Sequence, residues 1–370
     1  MEKAKVYFTN FRATPERNLL QKLRRLVEKA GMTAMDLEGK FAALKIHFGE
    51  VGNLAFLRPN YVRVVVDALK EKGAFPFLTD CNTLYIGARR NALEHLDTAY
   101  LNGFSPFQTG CHVIIGDGLM GNDHVPVPIQ GELLQEALIG RAIMDAEVLI
   151  TLTHFKAHEC TGIGGVLKNL GMGCGSTAGK RVMHNDGKPT VDEDACIGCG
   201  KCALQCAHGA ISFHGEKKPR KARIDHAKCV GCGRCVGACR DVAAIGGPDS
   251  SFDALSQKIA EYALAAVQNH PHFHISFVMD VSPFCDCHGE NDVPLIPDVG
   301  IFASFDPVAL DQACAEACNR VEPLPGTWLE HKRRTGDLFG DAHPATNWRV
   351  CLHHAEKLGL GTTSYELIEV

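Results

Sequence analysis

The sequence predicts an α/β fold, a largely parallel sheet covered by helices, with a cysteine-rich module inserted into it. Three observations predict it: short apolar runs alternate with segments of helical periodicity, the alternation resumes after a central cysteine block, and that block repeats one tight spacing twice. Alternating strands and helices imply parallel pairing with both sheet faces covered. Because strand-like runs lie on both sides of the block, the chain divides into residues 1–187 (first part of the α/β domain), 188–248 (inserted module) and 249–370 (second part and C-terminal wrap).

Strands are predicted at Lys5–Phe11, Ala42–Phe48, Phe75–Asp80, His112–Asp117, Val148–Thr153, His274–Val281 and Gly300–Phe305. Helices are predicted at Pro15–Ala30, where Leu19, Leu20, Leu23 and Val27 fall at helical spacing, and at Pro59–Lys72, where proline occupies a helix start. Further helices are expected at Arg89–Gly103, Gly131–Asp145, Phe252–Asn269 and Asp306–Arg320. From Val321 onward prolines and glycines punctuate the chain, which suits loops and short helices wrapped over the main domain.

A chain of 370 residues with 45% hydrophobic content can bury a substantial core. Its net charge of −5 offers no global attraction to nucleic acid, and its longest apolar runs are strand-sized, so neither nucleic-acid binding nor a membrane span is expected. The start leads directly into a strand pattern without the apolar stretch of a secretory signal, so a cytoplasmic location is expected. Seventeen cysteines in such a chain argue for metal ligation rather than disulfides.

The two repeats are Cys196-x2-Cys199-x2-Cys202-x3-Cys206 and Cys229-x2-Cys232-x2-Cys235-x3-Cys239, offset by 33 residues. Three cysteines at this spacing curl the backbone round a cubane, and the fourth thiolate comes from elsewhere. In the two-cluster arrangement the last cysteine of each motif crosses to the other [4Fe–4S] cluster. That assigns Cys196, Cys199, Cys202 and Cys239 to one, and Cys229, Cys232, Cys235 and Cys206 to the other. Zinc sites use separated pairs or Cys/His mixtures instead. The stretch from Val191 to Gly247 resembles bacterial two-cluster ferredoxins, which makes the insertion an α+β, ferredoxin-like module. It departs from them where Ala207 and Arg240 replace the proline after the fourth cysteine. That proline shapes a turn and supplies no ligand. Partly exposed cubanes are damaged by oxidation, which points to an anaerobic setting. Between the motifs, Lys217-Lys218-Pro219-Arg220-Lys221 reads as a hairpin tip that is either a solvated turn or a docking patch.

In open α/β sheets the ligand crevice lies beyond the carboxyl ends of the strands. Polar residues end several runs: His47, Asp80-Cys81-Asn82, Asp117, His154, Asp280 and Asp306. Each also suits a helix cap or turn. The densest segment runs from Thr153 to Gly175. Its glycines permit close backbone approach, while Lys156, Lys168, Lys180 and Arg181 supply positive charge. It matches neither a phosphate-binding P-loop nor a dinucleotide fingerprint, because Cys174 stands at the first P-loop position and Leu167 at the third glycine of the fingerprint. His154 and His158, one turn apart if helical, read either as metal ligands with Cys160 or as hydrogen-bonded crevice histidines. Cys285-Asp286-Cys287-His288 is a further soft-ligand cluster, and Cys314-x3-Cys318 suits packing on a helix.

Thr83-Leu84-Tyr85-x-Gly87, His154 with Lys168-Asn169-Leu170, and Asp306-Pro307-Val308-Ala309-Leu310-Asp311 together resemble the family catalogued as domain of unknown function 362, over most of residues 40–315. The resemblance implies no substrate. The expected function is an iron–sulfur oxidoreductase whose module passes single electrons to or from a crevice. His154, His158 and Lys168 are the catalytic candidates there. Gly162, Gly164, Gly165, Asn169, Asp306 and Asp311 are the cofactor-binding candidates, with an additional organic cofactor or metal left open. A redox partner protein is expected and a small-molecule substrate fits the crevice. The alternatives are a non-enzymatic electron carrier or adaptor, and structural or redox-sensing clusters.

Overall fold

The computed structural model describes residues 3–184, 188–216, 219–231, 233–239, 242–246 and 250–370. Its frame is one eight-stranded sheet of strands β1 (Ala4–Asn10), β2 (Phe41–Ile46), β3 (Phe75–Asp80), β4 (Val113–Ile115), β5 (Val148–His154), β6 (His272–Val278), β7 (Gly300–Ser304) and β8 (Tyr365–Glu369). The spatial order is β8-β1-β7-β6-β5-β2-β3-β4. Strands β6, β5, β2, β3 and β4 run parallel, and β8 runs parallel to β1. Strand β7 is antiparallel to both its neighbours, so the sheet is mostly parallel and mixed. The reason is the link from β6 to β7, which contains no helix to carry a crossover back to the starting end.

Every residue of β5 is buried, as a central parallel strand requires. Alternation on β2 sends Ala43 to one core, and Ala42 and Leu44 to the other. One face is covered by helices α1 (Leu19–Lys29) and α2 (Pro59–Lys70), through Leu23, Val27, Val62 and Val66. Beyond α2, helix α3 (Ala92–Leu101) follows β3. The opposite face is covered by α4 (Val166–Cys174), α6 (Ser250–Val267) and α7 (Pro307–Asn319), through Leu170, Ile259, Ala263 and Leu310. Helix α5 (Thr177–His184) leads into the inserted region. A Cβ on Gly171 of α4 would lie 2.1 Å from the Ile259 carbonyl of α6, so only glycine permits this helix contact.

Helix α1 starts at Leu19 rather than Pro15, because Asn18 and Gln21 form a reciprocal capping box. The helix expected at Gly131–Asp145 is not formed. Glu136–Gly140 is a strand paired antiparallel with His124–Pro128, and only Arg141–Met144 is helical. The buried Glu261 carboxylate accepts from the backbone N–H groups of Glu132, Leu133 and Leu134, fixing a loop where a helix was expected. The C-terminal wrap contains the short helices Leu338–Ala342 and Arg349–Lys357 as expected, but it ends in the unpredicted edge strand β8.

Between α5 and α6 the chain leaves the sheet. Thr190–Val191 pairs antiparallel with Ile245–Gly246, closing the base of the excursion. Inside it, Ile211–His214 and Lys221–Ile224 form a hairpin, flanked by short helices Lys201–Leu204 and Arg234–Ala238. Lys217 and Lys218 of the expected basic tip, like Cys232 and Arg240, lie outside the described residues. No helix among the described residues is long and apolar enough to cross a membrane.

Candidate functional site

Beyond the carboxyl ends of β2, β3 and β5 lies a cavity of about 140 Å³. Its floor is a buried charge network. Lys45 Nζ sits 2.9 Å from Asp80 Oδ1 and donates to Asn169 Oδ1 at 2.8 Å. Arg89 lies 3.6 Å from Asp80 and 3.3 Å from Glu50, and it also bonds the Tyr85 hydroxyl. Burial alone would raise the Asp80 pKa, but Lys45, His47, His95 and Arg89 together hold it below the ordinary carboxylate range. Burial lowers His47 well below its ordinary value and brings His95 to about 3.

His154 and His158 are not one helical turn apart. The first ends β5, and the second ends the short strand Lys156–His158, paired with Gly162–Gly164. Both still line the cavity, with Lys156 between them. His154 is fully engaged: Nδ1 lies 2.9 Å from Asp286, and Nε2 lies 2.8 Å from the Met279 carbonyl. Asp286 also accepts from Lys156 Nζ at 2.8 Å. Burial would raise the Asp286 pKa, but His154 and Lys156 keep it low. The group therefore pins the 282–288 loop to the sheet end. His158 uses Nδ1 as acceptor from the Cys160 and Thr161 N–H groups.

Lys168 donates to Cys285 Sγ at 3.4 Å. Burial opposes its charge, but Cys285, Cys287 and Glu159 raise its pKa. The neighbouring Cys287, with Lys168 and His158, lowers the Cys285 pKa against burial, while Cys285 and burial raise that of Cys287, whose backbone N–H donates to Cys285 Sγ at 3.4 Å. Arg234, from the excursion, donates to the Cys287 carbonyl at 2.7 Å and lies 3.7 Å from the Tyr85 ring centre.

Of the predicted site residues, His154, His158, Lys168, Asn169, Gly164 and Gly165 meet at this cavity. Gly162, at φ +75°, packs on Trp348 instead. Asn169 buttresses the floor by donating to Thr153 Oγ1 at 3.0 Å and the Leu152 carbonyl at 3.2 Å. Asp306 and Asp311 do not line the cavity. Asp306 caps α7, accepting from Val308 and Ala309, and also takes the Thr362 N–H. Asp311 accepts from Val166 and Leu167 at 2.7 and 2.9 Å, so the N-terminus of α4 is already occupied by a carboxylate of the chain. Gly165 is needed there, since its Cβ would stand 2.3 Å from Asp311. The reading missed Lys45, Arg89, Glu159 and Arg234. A lysine inside the apolar strand Phe41–Ile46 was the available signal for the first.

The repeated cysteines separate into two small cavities. Cys196, Cys199, Cys202 and Cys239 line one, with Phe213, Val242 and Ile245. Cys206, Cys229 and Cys235 line the other, with His208 and Ile224. Each described set therefore includes the last cysteine of the opposite motif. Backbone N–H groups point at the sulfurs: Ala222 to Cys196 at 3.4 Å, Ala210 to Cys206 at 3.3 Å and Gly231 to Cys229 at 3.4 Å. An apolar shell including Ala244, Ile245, Ile211 and Ile224 surrounds them. Crossed thiolates, N–H donors and apolar cover are the donor set and surroundings that a cubane cluster uses, so the described residues fit one in each cavity. The second cavity shares Gly233 and Arg234 with the large one.

A 30-residue stretch is 57% identical to an uncharacterized ferredoxin of Methanocaldococcus jannaschii, covering 8% of this chain and 18% of that protein. Among solved structures, the lactate racemase apoprotein from Thermoanaerobacterium thermosaccharolyticum is similar at 12% identity and a TM-score of 0.36, over 70% of this chain and 49% of that one. A Thermotoga maritima protein is similar at 11% identity and a TM-score of 0.35, over 81% of this chain and 57% of that one. The chain thus spans about half the length of these structures and under a fifth of the ferredoxin. The model of DUF362, a domain of unknown function, matches residues 42–316, and the chain belongs to that family.

Proposed function

We propose that the chain is an iron–sulfur oxidoreductase that exchanges single electrons between a redox partner protein and a small anionic molecule held in the large cavity. The carrying observation is the common wall: Gly233 and Arg234 border both the second cysteine cavity and the large one. Cys196, Cys199, Cys202 and Cys239 would hold one [4Fe–4S] cluster, and Cys206, Cys229, Cys232 and Cys235 the other. When bound, such clusters supply one-electron transfer at potentials tuned by burial and by hydrogen bonds to sulfur. The short ferredoxin match supports the same reading.

The residues of the chain divide the remaining work. Cys199 is exposed, with Ile197 and Leu204 exposed beside it, which offers the first cavity to a partner. The large cavity carries Lys45, Arg89, Lys156, Lys168, Lys180 and Arg234 against Asp80 and Glu159 and against the Glu50 and Asp286 carboxylates that pair with Arg89 and Lys156, which still leaves positive charge in excess, suited to an anion. Lys168, whose charge Cys285, Cys287 and Glu159 favour, and His158 are placed to orient it, whereas His154, with both nitrogens engaged, positions the wall. Anaerobic purification with iron and sulfide analysis tests the proposal. About eight irons per chain are expected, four per cubane, with one-electron signals on reduction. Zinc in place of iron and sulfide would overturn it.

A further inference from the structure

We propose that Glu159, Cys287 and His288 bind a single divalent transition-metal ion of the zinc class, with its remaining coordination position open to the cavity. None of the eight repeat cysteines takes part, so the site is separate from the clusters. One ligand atom from each of the three residues lies within 4.8 Å of the others, a span that one ion can close. The donors come from different segments, the turn after Lys156–His158 and the loop joining β6 to β7, yet they converge on the same wall.

Three further features suit a metal. Glu159 Oε1 lies 2.6 Å from His288 Nε2, while its buried Oε2 has no hydrogen-bond partner among the described residues. His288 Nδ1 faces the Glu290 carboxylate at 3.5 Å, and metal-bound histidines commonly direct their second nitrogen to such a group, which fixes the ring and its tautomer. Arg234 holds the Cys287 carbonyl at 2.7 Å, fixing the backbone that carries the thiol. A thiolate, an imidazole and a carboxylate together select zinc-like ions over calcium or magnesium, which prefer oxygen. Three protein ligands with one open position is the layout of sites where an outside molecule joins the metal. Lys168 and Arg234 line the same cavity, so an anionic oxygen donor is the class of ligand the open position would take.

The anaerobically purified protein, given one equivalent of zinc and desalted, is read by elemental analysis and by X-ray absorption at the zinc edge. One retained zinc is expected, with at least one sulfur at about 2.3 Å and nitrogen or oxygen neighbours at about 2.0–2.1 Å. Cys287→Ser and Glu159→Gln should each weaken zinc binding tenfold or more, leaving iron content and cluster signals unchanged. Failure to retain zinc, a sulfur-only shell, or zinc binding indifferent to both substitutions would overturn the site. The wild-type spectrum decides alone should a variant misfold. Because iron and zinc are read at separate edges, loss of the cluster reading and loss of this one are distinguishable.

Discussion

At Asp311 two forces act on one carboxyl group. The Val166 and Leu167 N–H groups favour its charge, while burial under α4 disfavours it, and burial wins, taking the pKa to about 7. A folded value above the ordinary 3.9 means that the folded chain keeps a proton the unfolded chain has lost. Stability should therefore fall as pH rises from about 4 and level off above about 7, by about 4 kcal/mol in all. Asp311→Asn removes that slope, and its amide oxygen can still accept from the N-terminus of α4. Urea unfolding of both proteins from pH 4 to 8 checks this: the wild-type advantage should shrink or reverse across the range, and parallel curves would contradict it. Asp306 and Asp311 looked like site residues because acids at strand and helix ends serve caps and ligands alike. Only tertiary contact, Asp311 reaching a helix far away in sequence, separates the two uses.

At the scale of elements, the α4–α6 contact depends on one missing side chain. In Gly171→Ala the new Cβ would meet backbone rather than a flexible tip, so the helices must separate, and a loss of about 1–3 kcal/mol is expected. Gly246→Ala, where a Cβ meets nothing within 4 Å, should leave the thermal midpoint unchanged and serves as the control. Equal midpoints for both variants would show that the contact is not tight. Elements with strong local signals were legible: Phe75–Asp80 matches its predicted bounds, and Pro59 marks the start of α2. Gly131–Asp145 failed because tertiary contacts decide it: the Glu261 carboxylate, far away in sequence, holds the Glu132, Leu133 and Leu134 N–H groups, and Glu136–Gly140 pairs with His124–Pro128. Strand β8 was missed because an edge strand, buried on little of its surface, has a weak apolar pattern.

For the whole molecule, the cysteine repeats were legible because their chemistry is set within a few residues. The cavity was only half legible, since Lys45, Asp80, Lys168, Cys287 and Arg234 are brought together by the sheet and the inserted excursion. The wall shared by excursion and sheet leads to a last prediction. Arg234 is a cation at the border of the cavity formed by Cys206, Cys229 and Cys235, and it favours the more negative, reduced state of whatever that cavity holds. Arg234→Gln keeps hydrogen-bonding capacity toward the Cys287 carbonyl and removes the charge. The reduction potential of the cluster proposed for that cavity should then fall by on the order of tens of millivolts, where 59 mV is tenfold for one electron. The cluster assigned to Cys196, Cys199, Cys202 and Cys239, which Arg234 does not border, should hold its potential. An electron paramagnetic resonance titration resolves the two. A shift in both, or in neither, would mean that the arginine does not couple the excursion to the cavity, and the shared wall would then be packing alone.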